Sequence, residues 1–381
     1  MATDVVIVGG GIIGLASAWR AAQRGLRVSV VDPDPGVGAS YVAAGMLAPV
    51  TEVHYGEEPM LRLTLESAAR YPSFVAELED VTVSQVGYRR CGMLAVALDA
   101  GDRAVLDDLG AFQHRLGLDV ESKSGRECRR LEPLLAPSVQ GGLLVTDDHQ
   151  VDPRRLTAAL LVAAEKSGVD IVRRTVIAVA TRDGVATGVH LDDGSELNAA
   201  TVVLAAGSRS GEIDGVPDTA RPPVRPVKGQ VVRLRVPPAY RPFLSRTVRG
   251  TVRGSFVYLV PREDGELVIG ATQEEQGFDE QVTAGGVYQL LRDAHELVPA
   301  VTELPLVEAR AGLRPGTPDN APLVGPTGVP GLVLATGHYR QGILLTPVTA
   351  DAVATLLADG DLSEQMAPFT PARFLGDEVI A

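Results

Sequence analysis

Four β-branched residues, Val5, Val6, Ile7 and Val8, run directly into Gly9-Gly10-Gly11-Ile12-Ile13-Gly14. The run has the pattern of a strand buried on both faces. Gly9, Gly11 and Gly14 keep the G-x-G-x-x-G spacing, and each has a mechanical reason. Gly9 allows the tight turn off the strand, Gly11 lets a pyrophosphate approach the backbone, and Gly14 lets the next helix pack close on the sheet. Ile12 to Arg24 then follows a helical period, with Gly25 as its stop. Val28-Ser29-Val30-Val31-Asp32 is a second strand that ends in an acid. The first 32 residues therefore predict one complete strand–helix–strand unit whose helix start presents free N–H groups to phosphate. Asp32 lies 18 residues beyond Gly14. A carboxylate there accepts hydrogen bonds from both hydroxyls of an adenosine ribose and repels a 2′-phosphate, so a dinucleotide is expected and NADP is disfavoured.

The same buried α/β texture returns later. Asp152 to Lys166 reads as an amphipathic helix with Asp152 as cap and Pro153 in its first turn. Val169–Val179, Thr187–Leu191 and Glu196–Ala199 read as short strands separated by Asp183-Gly184 and Asp193-Gly194 turns. Thr201 to Gly207 and Gly331 to Gly337 read as buried strands stopping at a glycine, and Thr346 to Leu357 as a last helix. Residues 84–150 and 222–310 differ: they read as alternating strands, such as Val231–Arg235 and Phe256–Val260, bounded by Pro-rich crossings. The fold class expected is α/β, a Rossmann-like parallel-sheet domain interleaved with an α+β antiparallel-sheet domain. The first comprises 1–83, 151–221 and 311–381; the second comprises 84–150 and 222–310.

Composition bounds the function. A length of 381 residues suggests roughly two domains. A net charge of −13 disfavours a nucleic-acid or anionic-membrane partner. The apolar run that opens the chain is too short and too rich in glycine for a membrane span, and no basic region precedes it. Cys91 and Cys128, the two cysteines, form no CxxC pair and read as reduced thiols of a cytoplasmic protein. No metal site is expected; Asp147-Asp148-His149 on a turn lacks ligand geometry.

A second constellation lies between residues 310 and 347. It contains Ala311-Gly312-Leu313-Arg314-Pro315 and Gly337-His338-Tyr339-Arg340-Gln341-Gly342-Ile343-Leu344-Leu345. A strand, a glycine-flanked turn and a helix start place Arg340 and the amides of Gly342 to Leu345 in the crevice of the first motif. Helix-start amides suit a developing negative charge.

Together with Ala44-Gly45-Met46-Leu47, Val203-Leu204-Ala205-Ala206-Gly207-Ser208, Val227-Lys228-Gly229-Gln230, Tyr258-Leu259-Val260-Pro261-Arg262 and Gly270-Ala271-Thr272, these segments resemble the D-amino-acid oxidase and sarcosine oxidase superfamily. Within it the likeness is nearest to the glycine oxidase branch of thiamine biosynthesis. The matching segments run in order over nearly the whole chain.

The resemblance implies non-covalently bound FAD, since nothing after Cys128 could tether it. It implies an oxidase of glycine and similar small amines (sarcosine, small D-amino acids), with hydride transfer to flavin N5, imine hydrolysis and hydrogen peroxide as product. Molecular oxygen would be the second substrate and the protein a homo-oligomer. Arg314 matches the carboxylate-binding arginine, Tyr258 the pocket tyrosine and Arg340 a second arginine beside the flavin. Met46, Phe256, Gln273 and His338 would line the substrate pocket, Phe256 and Gln273 departing from the family's usual residues. Cofactor contacts would run through Gly9, Gly11, Ile12, Ile13, Gly14, Asp32, Ser40, Ala44, Gly45, Met46, Val176, Ala206, Gly207, Arg314, His338, Arg340, Gln341, Gly342, Ile343 and Leu344. Two other readings stay open: a dehydrogenase passing electrons to a quinone or carrier, and a flavin-binding module without turnover.

Overall fold

The computed structural model describes residues 3–252 and 254–374. The strand Thr3–Val8 sits inside a sheet ordered Leu323–Pro326, Leu332–Thr336, Glu196–Leu204, Thr3–Val8, Val28–Val31, Asp170–Val172. Thr3–Val8 pairs in parallel with Val28–Val31 on one side and with Glu196–Leu204 on the other. The chain thus reverses its winding at this strand, and the crevice at the carboxyl ends of such strands is where ligands settle. The helix Ile12–Gln23 fills one face of the sheet and is buried almost all round, Trp19 included. It packs against the helices Thr346–Asp359 and Pro153–Lys166, and its small residues Ala16, Ala18 and Ala21 permit that crowding. Asp152 caps the second of these, its Oδ1 accepting from the Arg154 and Arg155 amides at 3.0 and 3.3 Å.

A second sheet is ordered Leu306–Gly316, Arg225–Arg235, Glu266–Gly270, Ser255–Pro261, Thr247–Val252, Met93–Ala97, Gly141–Val145, Glu121–Ser124. Its pairs are antiparallel except Thr247–Val252 with Met93–Ala97. The helix Ala284–Leu297 covers one face through Leu290, Ala294 and Leu297. The other face meets the first domain through Val42, Ala44, Val231, Val260 and Val268.

Several elements differ from expectation. Glu196–Leu204 is one strand, not two. Its first half pairs antiparallel with Val185–Leu191 and its second half pairs with Thr3–Val8, so no turn is needed at Ala200. Residues 84–150 hold the helices Ala100–Arg115 and Gly125–Leu131 among their strands, and the helix Glu58–Thr82 was not foreseen. The expected domain boundary at 310/311 cuts the continuous strand Leu306–Gly316, which pairs with Arg225–Leu234 along its length. We propose to keep the three-piece and two-piece division with that boundary moved beyond Gly316. No helix among the described residues is long and apolar enough to cross a membrane.

Candidate active site

The glycine turn is fixed by what cannot fit there. A Cβ on Gly9 would stand 2.4 Å from the Ala205 carbonyl oxygen, and one on Gly14 would stand 1.9 Å from the Gly9 oxygen. Gly11 differs: the nearest atom to a Cβ there is Ser40 Oγ at 3.6 Å, and the residue lines open space. Ser40 Oγ accepts from the Ile12 amide at 3.1 Å, leaving the next first-turn amides for a ligand. Asp32 accepts from the Gly10 amide at 2.7 Å through one oxygen and from the Asp34 amide at 2.8 Å through the other. Each oxygen keeps a lone pair for a ribose hydroxyl.

The segment after the second strand is held by arginines from the other sheet. Arg262, buried, donates to Val151 O at 2.8 Å, to Gln150 Oε1 at 2.7 Å and to Ala44 O. Burial pulls its guanidinium down to about 10. Arg233 is buried as well; it pairs with Glu266 at 2.5 Å and reaches the Tyr41 and Ala43 carbonyls at 3.4 and 3.5 Å. Gly45, at φ +75°, presses against Val151, whose oxygen would be 2.1 Å from a Cβ. A wall of small residues is thereby pinned between the two sheets.

These walls enclose a cavity of about 930 Å³, at the upper end of ordinary ligand sites. It runs from Asp32 and Val176 past Gly11 to Arg314 and Tyr258 on the second sheet. Arg314, at the end of its strand, lays its guanidinium over Gly229, where a Cβ would be 2.3 Å from Nη1. It donates to Thr272 O at 3.2 Å and to Lys228 O at 3.5 Å. Among the described residues no carboxylate pairs with it. The Tyr258 ring lies over Gly270, whose Cβ position is 2.4 Å from the hydroxyl. Burial pushes the Tyr258 phenol up, more than the Arg314 charge beside it pulls it down. It is therefore a hydrogen-bond donor at any working pH.

Of the residues expected at the site, most line this one cavity, including Met46, Phe256, Gln273, Ala206, Gly207, His338, Arg340, Gly342 and Ile343. Gly14, Gln341 and Leu344 do not. Gly14 packs beneath the Gly9 carbonyl, Gln341 turns its amide to Glu52 Oε2 at 3.2 Å, and Leu344 is core, its carbonyl accepting from Ser67 Oγ at 2.6 Å. The Leu345 amide, expected free, is spent on Gln341 O at 2.8 Å; those of Gly342, Ile343 and Leu344 have no acceptor among the described residues. His338 is buried with its Nε2 3.0 Å from Thr349 Oγ1, and burial lowers its imidazole to about 3. With its basicity lowered by burial and its Nε2 tied to Thr349, it holds the turn. Arg340 reaches Glu57 at 3.7 Å, while its buried Nε has no partner. Asp148 accepts from the Val50 and Thr51 amides at 3.1 and 2.8 Å and thereby fixes the loop that carries Glu52.

Among the lining residues that were not foreseen are Glu52 and Arg249. Arg249 pairs directly with Tyr258 across neighbouring strands, so both point to the same face. That register depends on a hairpin whose turn carries no signature strong enough to fix it in the sequence.

The enclosed path from ribose acid to glycine turn to small-residue wall suits a flavin dinucleotide in shape and donor chemistry. The family description "FAD dependent oxidoreductase" matches residues 4–356. The bifunctional protein ThiO/ThiG of Synechocystis is 40% identical over 98% of this chain and 54% of its own length. Two other curated relatives of that kind are covered to 55% and 53%, so the chain spans about half the length of the first curated relatives it matches. The glycine oxidase of Geobacillus kaustophilus is 34% identical, covering 98% of this chain and 97% of that protein. Its crystal structure superposes with a TM-score of 0.89 over 97% of this chain and 98% of the other. Fold, cradle and comparisons agree that this chain belongs to the family of FAD-dependent oxidoreductases that includes D-amino-acid oxidase.

Proposed function

We propose that the enzyme oxidises glycine and similar small amines, such as sarcosine and small D-amino acids, giving an imine that hydrolyses to the oxo acid, with oxygen as acceptor and hydrogen peroxide as product. The observation that carries this reading is Arg314: a guanidinium with no acidic partner among the described residues, beside the Tyr258 hydroxyl, at the inner end of the cofactor cavity. A fork of this kind takes a carboxylate through two hydrogen bonds. The relatives named as glycine oxidase and ThiO/ThiG support the same reading and a part in thiamine biosynthesis.

FAD, held without a covalent bond, supplies a hydride acceptor for the α-carbon. The chain supplies position. With FAD bound, Gly11, Ile13 and the Asp32 carboxylate would hold its phosphates and ribose, and the amides of Gly342 to Leu344, which have no acceptor among the described residues, would stabilise negative charge developing on it. Arg314 fixes the substrate carboxylate and Tyr258 donates a second hydrogen bond to it, which leaves the α-carbon directed at the ring. Water takes the amine proton, because burial leaves the one histidine on the cavity wall a weak base, with its Nε2 bonded to Thr349.

Glycine added to the purified yellow protein without oxygen should bleach the flavin, and under air peroxide should form in step with glycine consumed. No bleaching sinks the reading; bleaching with dye reduction but no peroxide makes the enzyme a dehydrogenase.

A further inference from the structure

Arg249 stands on the strand Thr247–Val252, directly opposite Tyr258, and lines the same cavity as Arg314. Its side chain is 14% exposed. Its one hydrogen bond among the described residues is to Glu52 Oε1 at 3.2 Å. A guanidinium carries five N–H donors in a fixed fork, so four of them have no acceptor among the described residues while the group lines the cavity. Phe256, 57% exposed, lies beside it, with the guanidinium carbon 5.2 Å from the ring centroid, a cation–π contact. Glu52 is anchored from behind, its second oxygen accepting from Gln341 Nε2 at 3.2 Å. The Tyr258 hydroxyl lies in the field of both Arg314 and Arg249. A cation kept only to neutralise Glu52 needs neither the cavity nor an aromatic platform.

We propose that Arg249, oriented by Glu52 and Phe256, is a second anion subsite across Tyr258 from Arg314, and that the pocket accepts amines bearing a second carboxylate. The proposal rests on Arg314 taking the first carboxylate, as in the reading above, and it extends the substrate class to dicarboxylic amines such as N-carboxymethyl glycine. Glu52 tempers the subsite, because its charge and the ligand's second carboxylate compete for one guanidinium.

The test separates binding from turnover. The yellow holoenzyme is titrated with acetate and with oxydiacetate, a diacid without an oxidisable amine, and the flavin absorbance change is followed. Oxydiacetate should bind about tenfold or more tighter than acetate, the range expected of one added charge-assisted pair. Arg249→Met should bring that ratio close to one, with the flavin spectrum confirming a folded protein. Glu52→Gln should move the ratio the other way, raising it several-fold. A ratio near one in the unaltered enzyme, or a ratio that neither substitution moves, overturns the proposal. If glycine fails to bleach the flavin while the ratio behaves as expected, the subsite stands and the oxidase reading falls.

Discussion

The two ends of the cavity are built on different principles. The nucleotide end is largely backbone: an added Cβ collides with a neighbouring carbonyl at Gly9 and at Gly14, and Gly11 between them leaves room for a ligand. The substrate end is long polar side chains, Arg314, Tyr258, Arg249 and Glu52, drawn from three strands of the second sheet and one loop. A backbone cradle leaves little to vary, since its geometry is set by exclusion. A side-chain constellation can change its ligand one residue at a time while the sheet beneath stays the same. Cofactor choice and substrate choice are therefore separable in this molecule.

The sharpest way to break that separation is Gly14→Val. The clash with the Gly9 carbonyl should abolish flavin retention altogether, read as loss of the visible absorbance of the purified protein. Arg314→Ala comes next. It should leave the yellow colour intact and lower kcat/KM for carboxylated amines by about 30- to 3000-fold, the cost of removing one partner of a charge pair. Flavin loss in this variant would show that the two ends are coupled. Asp32→Ala should weaken FAD binding roughly tenfold, measured by flavin release on dilution, with little change in KM once cofactor is saturating. Tyr258→Phe should cost the substrate end about three- to tenfold in kcat/KM and the cradle nothing.

The smallest effect concerns the loop that carries Glu52. Burial raises the Asp148 carboxyl to about 7, above its ordinary value in the unfolded chain. A raised acid favours the fold fully below its unfolded pKa, near 4, and that contribution is lost as pH rises through about 7. The melting temperature should therefore fall across this window more steeply for the unaltered enzyme than for Asp148→Asn. Equal slopes would remove Asp148 from the account of the loop.

The nucleotide end was legible because its chemistry is local. The turn from Gly9 to Gly14, the acid at Asp32 and the strand–helix period between them lie within one short stretch, and the structure joins them as the spacing predicts. Arg314 and Tyr258 were reached through resemblance, since an arginine before proline and a tyrosine on a strand carry no signal of their own. Arg249 and Glu52 were missed for a physical reason. Their meeting depends on strand register and on a loop held by Asp148, both set by pairings nearly a hundred residues or more apart. The helix Glu58–Thr82 carries Pro72 in its interior, a residue that argues against a helix in sequence, although its buried positions from Met60 to Thr82 keep a helical period.

The central strand has a consequence for how the molecule comes into being. Thr3–Val8 needs Glu196–Leu204 beside it, and that strand in turn needs Leu332–Thr336. A ribosome delivers these partners in that order over roughly tens of seconds at ordinary rates of synthesis. The glycine turn is made first, and the last strand of the sheet beneath it, Leu332–Thr336, is made about three hundred residues later. A nascent chain stalled before Leu332 has an incomplete parallel sheet beneath its dinucleotide turn.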